Sequence, residues 1–470
     1  MYTRLAQRAY DVPFAALLLV GEALLTTAIV KKVAYTEIDW TGRRKVSPQT
    51  DPCSSSHHIT SAYMQEVNAY QDGERDYVQI RGDTGPLVYP AGFLYLYGWL
   101  KSFSTLGAND GELGLGGSTS AEAIRRIQWV FVALYLFNSM VVLTLYQKVL
   151  ERIRQSSSSP IDPILVWTWR ILMGITCLSK RIHSIFVLRL FNDAPAMALL
   201  HTSILLFTED YWSLGCAAFS LAVSIKMNIL LFAPGLLLLL LQKNRCIAGT
   251  MKHLSICASI QLLLGWPFLS KHPISYLRKA FELDRVFFFK WTVNWKFLPE
   301  DVFVSKPWAL LLLFGHLGML KILASRWRKA SVRQRGTAAT DEWMCFTSKS
   351  RGNLRLSAEY IVYTMFVTNY IGIAFARTLH YQFYCWYFYS LPMLHGLSSI
   401  PTARPTSTPR TLLHLLLSVT AIVGAEFAFN VFPATAQSSM VLQISHLFLL
   451  GKILTSIVPT IELYDERKRK

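Results

Sequence analysis

Apolar runs of roughly 17–25 residues recur along the chain, each long enough as a helix to cross a hydrocarbon core about 30 Å thick. Clear cases are VPFAALLLVGEALLTTAIV at 12–30, IQWVFVALYLFNSMVVLTLY at 127–146 and LLHLLLSVTAIVGAEFAF at 412–429. About a dozen such runs can be marked, which predicts an all-α polytopic membrane protein and not a string of soluble domains. Composition agrees: the 470 residues are 52% hydrophobic and only 16% charged, where a soluble protein carries about a quarter charged residues. Residues 1–470 are read as one integral-membrane domain. The first run, with no small-residue cleavage site after it, reads as a retained span.

The formal charge of +18 invites a nucleic-acid reading, but the basic residues sit in short loops between runs, as cytoplasmic loops do. QKNR at 242–245, RWRKASVRQR at 326–335, Arg404, Arg410 and the terminal ERKRK follow that pattern. No nucleic-acid partner is expected. The seven cysteines contain no CxxC pair and suggest no disulfide framework. Cys53 with His57 and His58, in a Ser-rich stretch, is too sparse a set to define a metal site.

Basic loops at 242–252, 326–356, 401–410 and 465–470 alternate with less basic ones at 180–193, 270–306, 377–383 and 433–439. If the basic side is cytosolic, the C-terminus is cytosolic, and RIHS, KWTVNW and RTLHYQ converge on the opposite face. The N-terminal third resists strict alternation. Its run at 86–103 holds Pro90, Gly92 and Gly98, consistent with a bent, partial or re-entrant segment.

Acids crowd the first large loop, 33–85: Glu37, Asp39, Glu66, Asp72, Glu74, Asp76 and Asp83. Within it AYMQEVNAY at 62–70 has the spacing of a helix lying on the membrane surface. A second long loop, 270–306, is dense in Phe and Trp, as a headgroup anchor or a wall for a lipid-borne or sugar substrate would be. Glu37 and Asp39 are two residues apart and share one side of an extended backbone. Such a pair can act as a general base, hold a divalent cation or simply be solvated. Arg181, His183, Arg189 and Asp193 surround a break between spans, Lys226 interrupts SLAVSIKMN, and Arg377, His380 and Gln382 stand in RTLHYQFYCWYF. Ionisable groups near a bilayer are costly and are functional candidates; Arg, Lys and His can hold a phosphate and offset charge on a leaving group. An acidic loop facing cationic clusters suits transfer of a group from a lipid phosphate. A transporter is the rival class, but it would show repeat symmetry and broken midplane helices, and no repeat is visible.

The strings YTEIDW, AYMQEV, RGDTGPLVYPAGF, SKRIHSIFVLRLFNDAPAM, SLAVSIKMNILLFAPG, KWTVNWKFLPE and RTLHYQFYCWYF closely resemble the dolichyl-phosphate-mannose-dependent alpha-1,3-mannosyltransferases of the endoplasmic reticulum, in order from about residue 12 to 395. The resemblance implies a glycosyltransferase-C fold in the endoplasmic reticulum membrane, with the active site in a lumenal first loop. It implies dolichyl phosphate mannose as donor and the five-mannose dolichyl-pyrophosphate oligosaccharide as acceptor; another lipid-phosphate-sugar transferase is the nearest alternative. The acidic pair carried after the first span in related transferases maps onto Glu37 and Asp39. Asp39 is then the expected base and Glu37 its positioning partner, with Asp83 and Asp193 as further candidate acids. A beta-linked donor and an alpha product imply inversion in one displacement. Arg181, His183, Lys226, Arg377 and His380 are the candidates for the donor phosphate, and no metal is expected because the leaving group is a lipid phosphomonoester. One departure stands out: residues 41–61 form a polar insert between DW and AYMQEV, expected to be a flexible lumenal excursion.

Overall fold

A computed structural model of the chain describes residues 2–35, 42–43, 59–60, 62–82, 85–104, 121–156, 163–244, 246–282, 288–335, 356–399 and 408–456. Glu37, Asp39, Asp83, Cys53, His57, His58 and Arg404 lie outside the described residues, as does the C-terminal basic run.

The described chain is almost wholly helical. In order come α1 (Tyr2–Lys32), α2 (Ala62–Gln71), α3 (Gly92–Ser104), α4 (Ala121–Ser156), α5 (Pro163–Ile175), α6 (Lys180–His183), α7 (Asp193–Thr208), α8 (Trp212–Ile225) and α9 (Ala233–Asn244). They are followed by α10 (Ile247–Leu269), α11 (Pro273–Ala280), α12 (Glu300–Val304), α13 (Lys306–Arg335), α14 (Ala358–Ala374), α15 (Ser390–Leu397), α16 (Thr408–Asn430) and α17 (Ala436–Thr455). Among the described residues eight segments are long and apolar enough to cross a membrane; α7 and α8 are shorter apolar helices. The protein is an all-α polytopic membrane protein.

The dozen apolar runs therefore divide into long helices and short, buried ones. Lipid is the solvent of the long outer helices: α1 exposes Leu17, Val20 and Leu24, and α10 exposes Leu263 and Trp266. The interior belongs to α14, buried without interruption from Glu359 to Ile373. A helix apolar all round is what a fully enclosed position requires. The troublesome run at 86–103 yields only α3, whose 13 residues rise about 20 Å, short of a bilayer core.

The surface helix expected at 62–70 is present as α2, but it lies on protein. Its Ala62, Tyr63, Met64, Glu66 and Val67 are buried, and Tyr63 meets the rings of Phe93 and Tyr97 on α3 edge-on at 5.0 Å each. The ends of the insert are joined: Gly42 pairs with Thr60 and Arg43 with Ile59 in a two-residue antiparallel ladder. The excursion thus leaves and returns at one place. The basic stretch that begins at residue 326 starts as helix, since α13 continues to Arg335.

The two ends of the bundle differ in their backbone. At one end the residues just after α7 are tied to the C-terminal parts of α4 and α9, Lys148 to Glu209 and Lys243 to Asp210 at 2.6 Å. At the other, helices give way to irregular segments that dock on one another.

Candidate active site

Three stretches expected to share a face do meet there. The RIHS stretch reaches the RTLHYQ stretch where the Arg181 guanidinium lies over the Tyr381 ring, 5.2 Å from its centroid. The KWTVNW loop reaches it through backbone, Val293 N–H donating to the Leu379 carbonyl at 2.8 Å. Buried Asn294 completes the join: its Nδ2 donates to the Ala376 carbonyl and its Oδ1 accepts from Leu379 N–H, both 2.8 Å. One amide side chain thus fixes the backbone on both sides of Arg377, while Asn369 of α14 donates to the Trp386 carbonyl at 2.9 Å. The 3₁₀ turn Tyr381–Trp386 is held at both ends.

Two of the three described non-glycine residues with left-handed backbone lie at the same place; the third, Asp210, with φ of 70°, is at the opposite end. Residues Ser184–Leu188 form a π turn, and Leu190 and Trp295 adopt φ of 53° and 59°. Left-handed backbone is costly for bulky side chains, persists where surrounding contacts enforce it, and clusters at functional sites. Leu190 is enforced by Tyr97, whose hydroxyl donates to its carbonyl at 2.7 Å.

Within this seam the sequence-selected residues fall into separate groups. Lys226, at the end of α8, donates to Asp193 Oδ2 at 2.6 Å and to Asn192 Oδ1 at 3.0 Å. The other Asp193 oxygen accepts from the Trp386 indole, and the Tyr63 hydroxyl donates to Asn192 Oδ1 at 3.3 Å. Asp193 is fully buried and Lys226 nearly so. The ammonium lies 5.5–5.8 Å from the ring centroids of Tyr89, Phe383 and Trp386. Taking two charges out of water costs several kcal/mol per ion, so the pair persists through close geometry and the aromatic box. With both oxygens engaged, Asp193 is placed as counter-ion to Lys226.

Arg181 sits at the other end of the same 3₁₀ turn, about 10 Å along it at roughly 2 Å per residue. Its buried Nε has no hydrogen-bond partner among the described residues, and Arg189 is within electrostatic reach. The short helix α6 that carries it is clamped at its start by Glu426 of α16. That carboxylate accepts from the Ser179 hydroxyl at 2.8 Å, from Asn430 at 2.8 Å and from Arg181 N–H at 3.4 Å. Arg377 and His380 are half-buried on the turn after α14, His380 with its ring 5.3 Å from Phe383. His183 is turned inward: its Nε2 lies 2.7 Å from Glu22 Oε2 of α1 and 3.2 Å from the Tyr135 hydroxyl of α4. It belongs to the helix interior and stands apart from the aromatic box.

Two described acids of the first loop, Glu74 and Asp76, have structural partners. Glu74 accepts from the N–H groups of Arg75 and Asp76. Asp76 accepts from Ser275 of α11 and from Val78 N–H, contacts that hold its carboxyl below the ordinary carboxylate range. The described residues contain no cluster of His, Cys, Asp and Glu able to hold a metal ion.

Glu22, Glu426, Asn294 and Asn369 escaped the sequence reading. The two glutamates carried a usable signal, a lone acid in each of LLLVGEALL and VGAEFAF, since an ionisable group inside a span is costly. The two asparagines carried none.

Irregular, charge-bearing backbone joined at one end of an apolar bundle marks this as a polytopic membrane protein with a candidate site at one end of its helices. Residues 59–439 match the family model described as ALG3 protein, and the chain belongs to that family. It is similar to the Dol-P-Man:Man(5)GlcNAc(2)-PP-Dol alpha-1,3-mannosyltransferase of Arabidopsis thaliana, 41% identical over 462 residues, covering 97% of this chain and 90% of the relative. The mouse and human proteins of the same description are each 39% identical, covering 96% and 95% of this chain and 88% and 87% of theirs.

Proposed function

We propose that this protein transfers mannose from dolichyl phosphate mannose, in alpha-1,3 linkage, onto the five-mannose dolichyl-pyrophosphate oligosaccharide at the lumenal face of the endoplasmic reticulum membrane. The observation that carries this reading is the joining of the RIHS, KWTVNW and RTLHYQ stretches into one strained, cation-bearing seam, in a chain alike over almost its whole length to transferases of that description. A glycosyltransferase-C fold with a cytosolic C-terminus is part of the same proposal.

In this mechanism Asp39 takes the proton from the acceptor 3-hydroxyl as the oxygen attacks the anomeric carbon of the donor. Glu37 orients that carboxylate. The C–O bond to the lipid phosphate breaks on the opposite side, so configuration inverts in one displacement. Negative charge grows on the departing phosphate and is offset by Arg181, with Arg377 and His380 assisting. Lys226 contributes electrostatically from its pair with Asp193. Glu74 and Asp76 are occupied in shaping their own turn, which supports looking for the base among the other first-loop acids, with Glu37 and Asp39 preferred on the resemblance. A phosphomonoester leaving group met by arginine and histidine needs no metal on charge grounds.

The test is transfer of mannose from dolichyl phosphate mannose by membranes carrying wild type, Asp39→Asn or Glu37→Gln. Asp39→Asn is expected to lose at least about 100-fold in rate, within the range of a positioned acid–base group, and Glu37→Gln less. Full activity in Asp39→Asn overturns the assignment of the base.

A further inference from the structure

A second cationic site lies beside the seam. The end of α1 and the start of α4 border an open pocket of about 290 Å³ lined by Val30 to Tyr35, Ala121, Ile124, Arg125 and Gln128. Three of its side chains are cations, Lys31, Lys32 and Arg125, and no hydrogen bond or ion pair engages any of them among the described residues.

Lysines at the C-terminus of a helix are ordinarily explained by the helix dipole and by snorkelling to the bilayer surface. Arg125 does not fit that account. It stands near the N-terminus of α4, the end where the dipole disfavours positive charge. Its neighbour Arg126 is paired at 2.8 Å with Glu122, whereas Arg125 lines the pocket with the two lysines, and the pocket's described lining includes no acid. Three like charges lining one pocket repel, an arrangement that a partner anion relieves.

The position indicates where that anion comes from. α1 exposes Leu17, Val20, Leu24 and Leu25 to lipid, so its end marks the bilayer surface. The pocket also touches the seam: Gln128 in its wall donates to the Val187 carbonyl at 3.1 Å, two residues before Arg189. We propose that Lys31, Lys32 and Arg125 form a docking site for the phosphate of a polyisoprenyl phosphosugar, which is captured from the bilayer here before its sugar reaches the seam. This rests on the reading that the donor is a lipid phosphate.

The test compares full-length wild type with the Lys31→Gln/Lys32→Gln/Arg125→Gln variant in neutral phosphatidylcholine vesicles. Loss of these charge-assisted contacts is expected to raise the KM for dolichyl phosphate mannose about tenfold or more, leaving kcat and the acceptor KM within about twofold. The Lys31→Arg/Lys32→Arg/Arg125→Lys variant should keep the wild-type KM. Binding of a short-chain polyprenyl phosphate to the purified proteins, followed by tryptophan fluorescence, should weaken in parallel; it tests the site even if no mannose transfer is found. An unchanged donor KM with unchanged probe binding overturns the proposal. So does a rise in acceptor KM alone. A wild-type rate that depends on added phosphatidylserine, lost in the variant while donor KM in neutral vesicles stays fixed, assigns the pocket to bulk anionic lipid and also overturns it.

Discussion

The two ends of this helix bundle handle charge in opposite ways. At the end where α4, α7 and α9 finish, Lys148 meets Glu209 and Lys243 meets Asp210 just after α7, with Glu209 and Asp210 open to solvent. Pairs of that kind contribute about 0–1 kcal/mol. At the seam, Lys226 and Asp193 are stripped of water, boxed by aromatic rings and set among residues in strained backbone. A buried pair is weak evidence for stability, because apolar residues of similar volume often stabilise as well or better. Its place on the same turn as Arg181 agrees with the proposed use of the seam: stability is spent there to hold buried charge, and at the opposite end it is not.

The comparison breaks if the two kinds of pair respond alike to mutation. Lys226→Met leaves Asp193 buried without its counter-charge and is expected to cost about 3–5 kcal/mol, read as a large fall in thermal unfolding temperature of the solubilised protein. Combining it with Asp193→Leu should restore much of that stability without restoring transferase activity. A double variant that regains both would make the pair purely structural.

A smaller effect sharpens the account at the first loop. The Ser275 hydroxyl, then the Val78 amide, hold the Asp76 carboxyl below its ordinary value of 3.8. Because the folded value is the lower one, the stabilisation is present above the unfolded value and is lost as pH falls through the folded one. Between pH 6 and pH 3 the Asp76→Asn variant should lose slightly less thermal stability than wild type. An identical loss would mean that the tie between the first loop and α11 carries no stability.

How much was legible in the chain differs along the same divide. Apolar runs and their alternation with basic loops specify the bundle, because period and length are local properties. RIHS, KWTVNW and RTLHYQ could be assigned to one face for the same reason, and they do meet. Their manner of meeting was hidden: Asn294 reads as an ordinary loop residue until its amide is found bridging Ala376 and Leu379. Likewise His183 looks like Arg181's companion in sequence, yet helix geometry sends it inward to Glu22, because neighbouring residues on a helix face different directions. The run at 86–103 was ambiguous since its glycines and proline mark irregularity without fixing where the helix starts; α3 begins at Gly92 and is only 13 residues long.

The central claim is that the seam, and not the opposite end of the bundle, meets the donor phosphate. It is tested most directly by steady-state mannose transfer from dolichyl phosphate mannose with Arg181→Gln beside Lys243→Gln, at equal amounts of folded protein. Removing a group that offsets developing charge typically costs about 100-fold or more in kcat, so Arg181→Gln should fall by that order while Lys243→Gln stays near wild type. Equal activity in the two variants would contradict it.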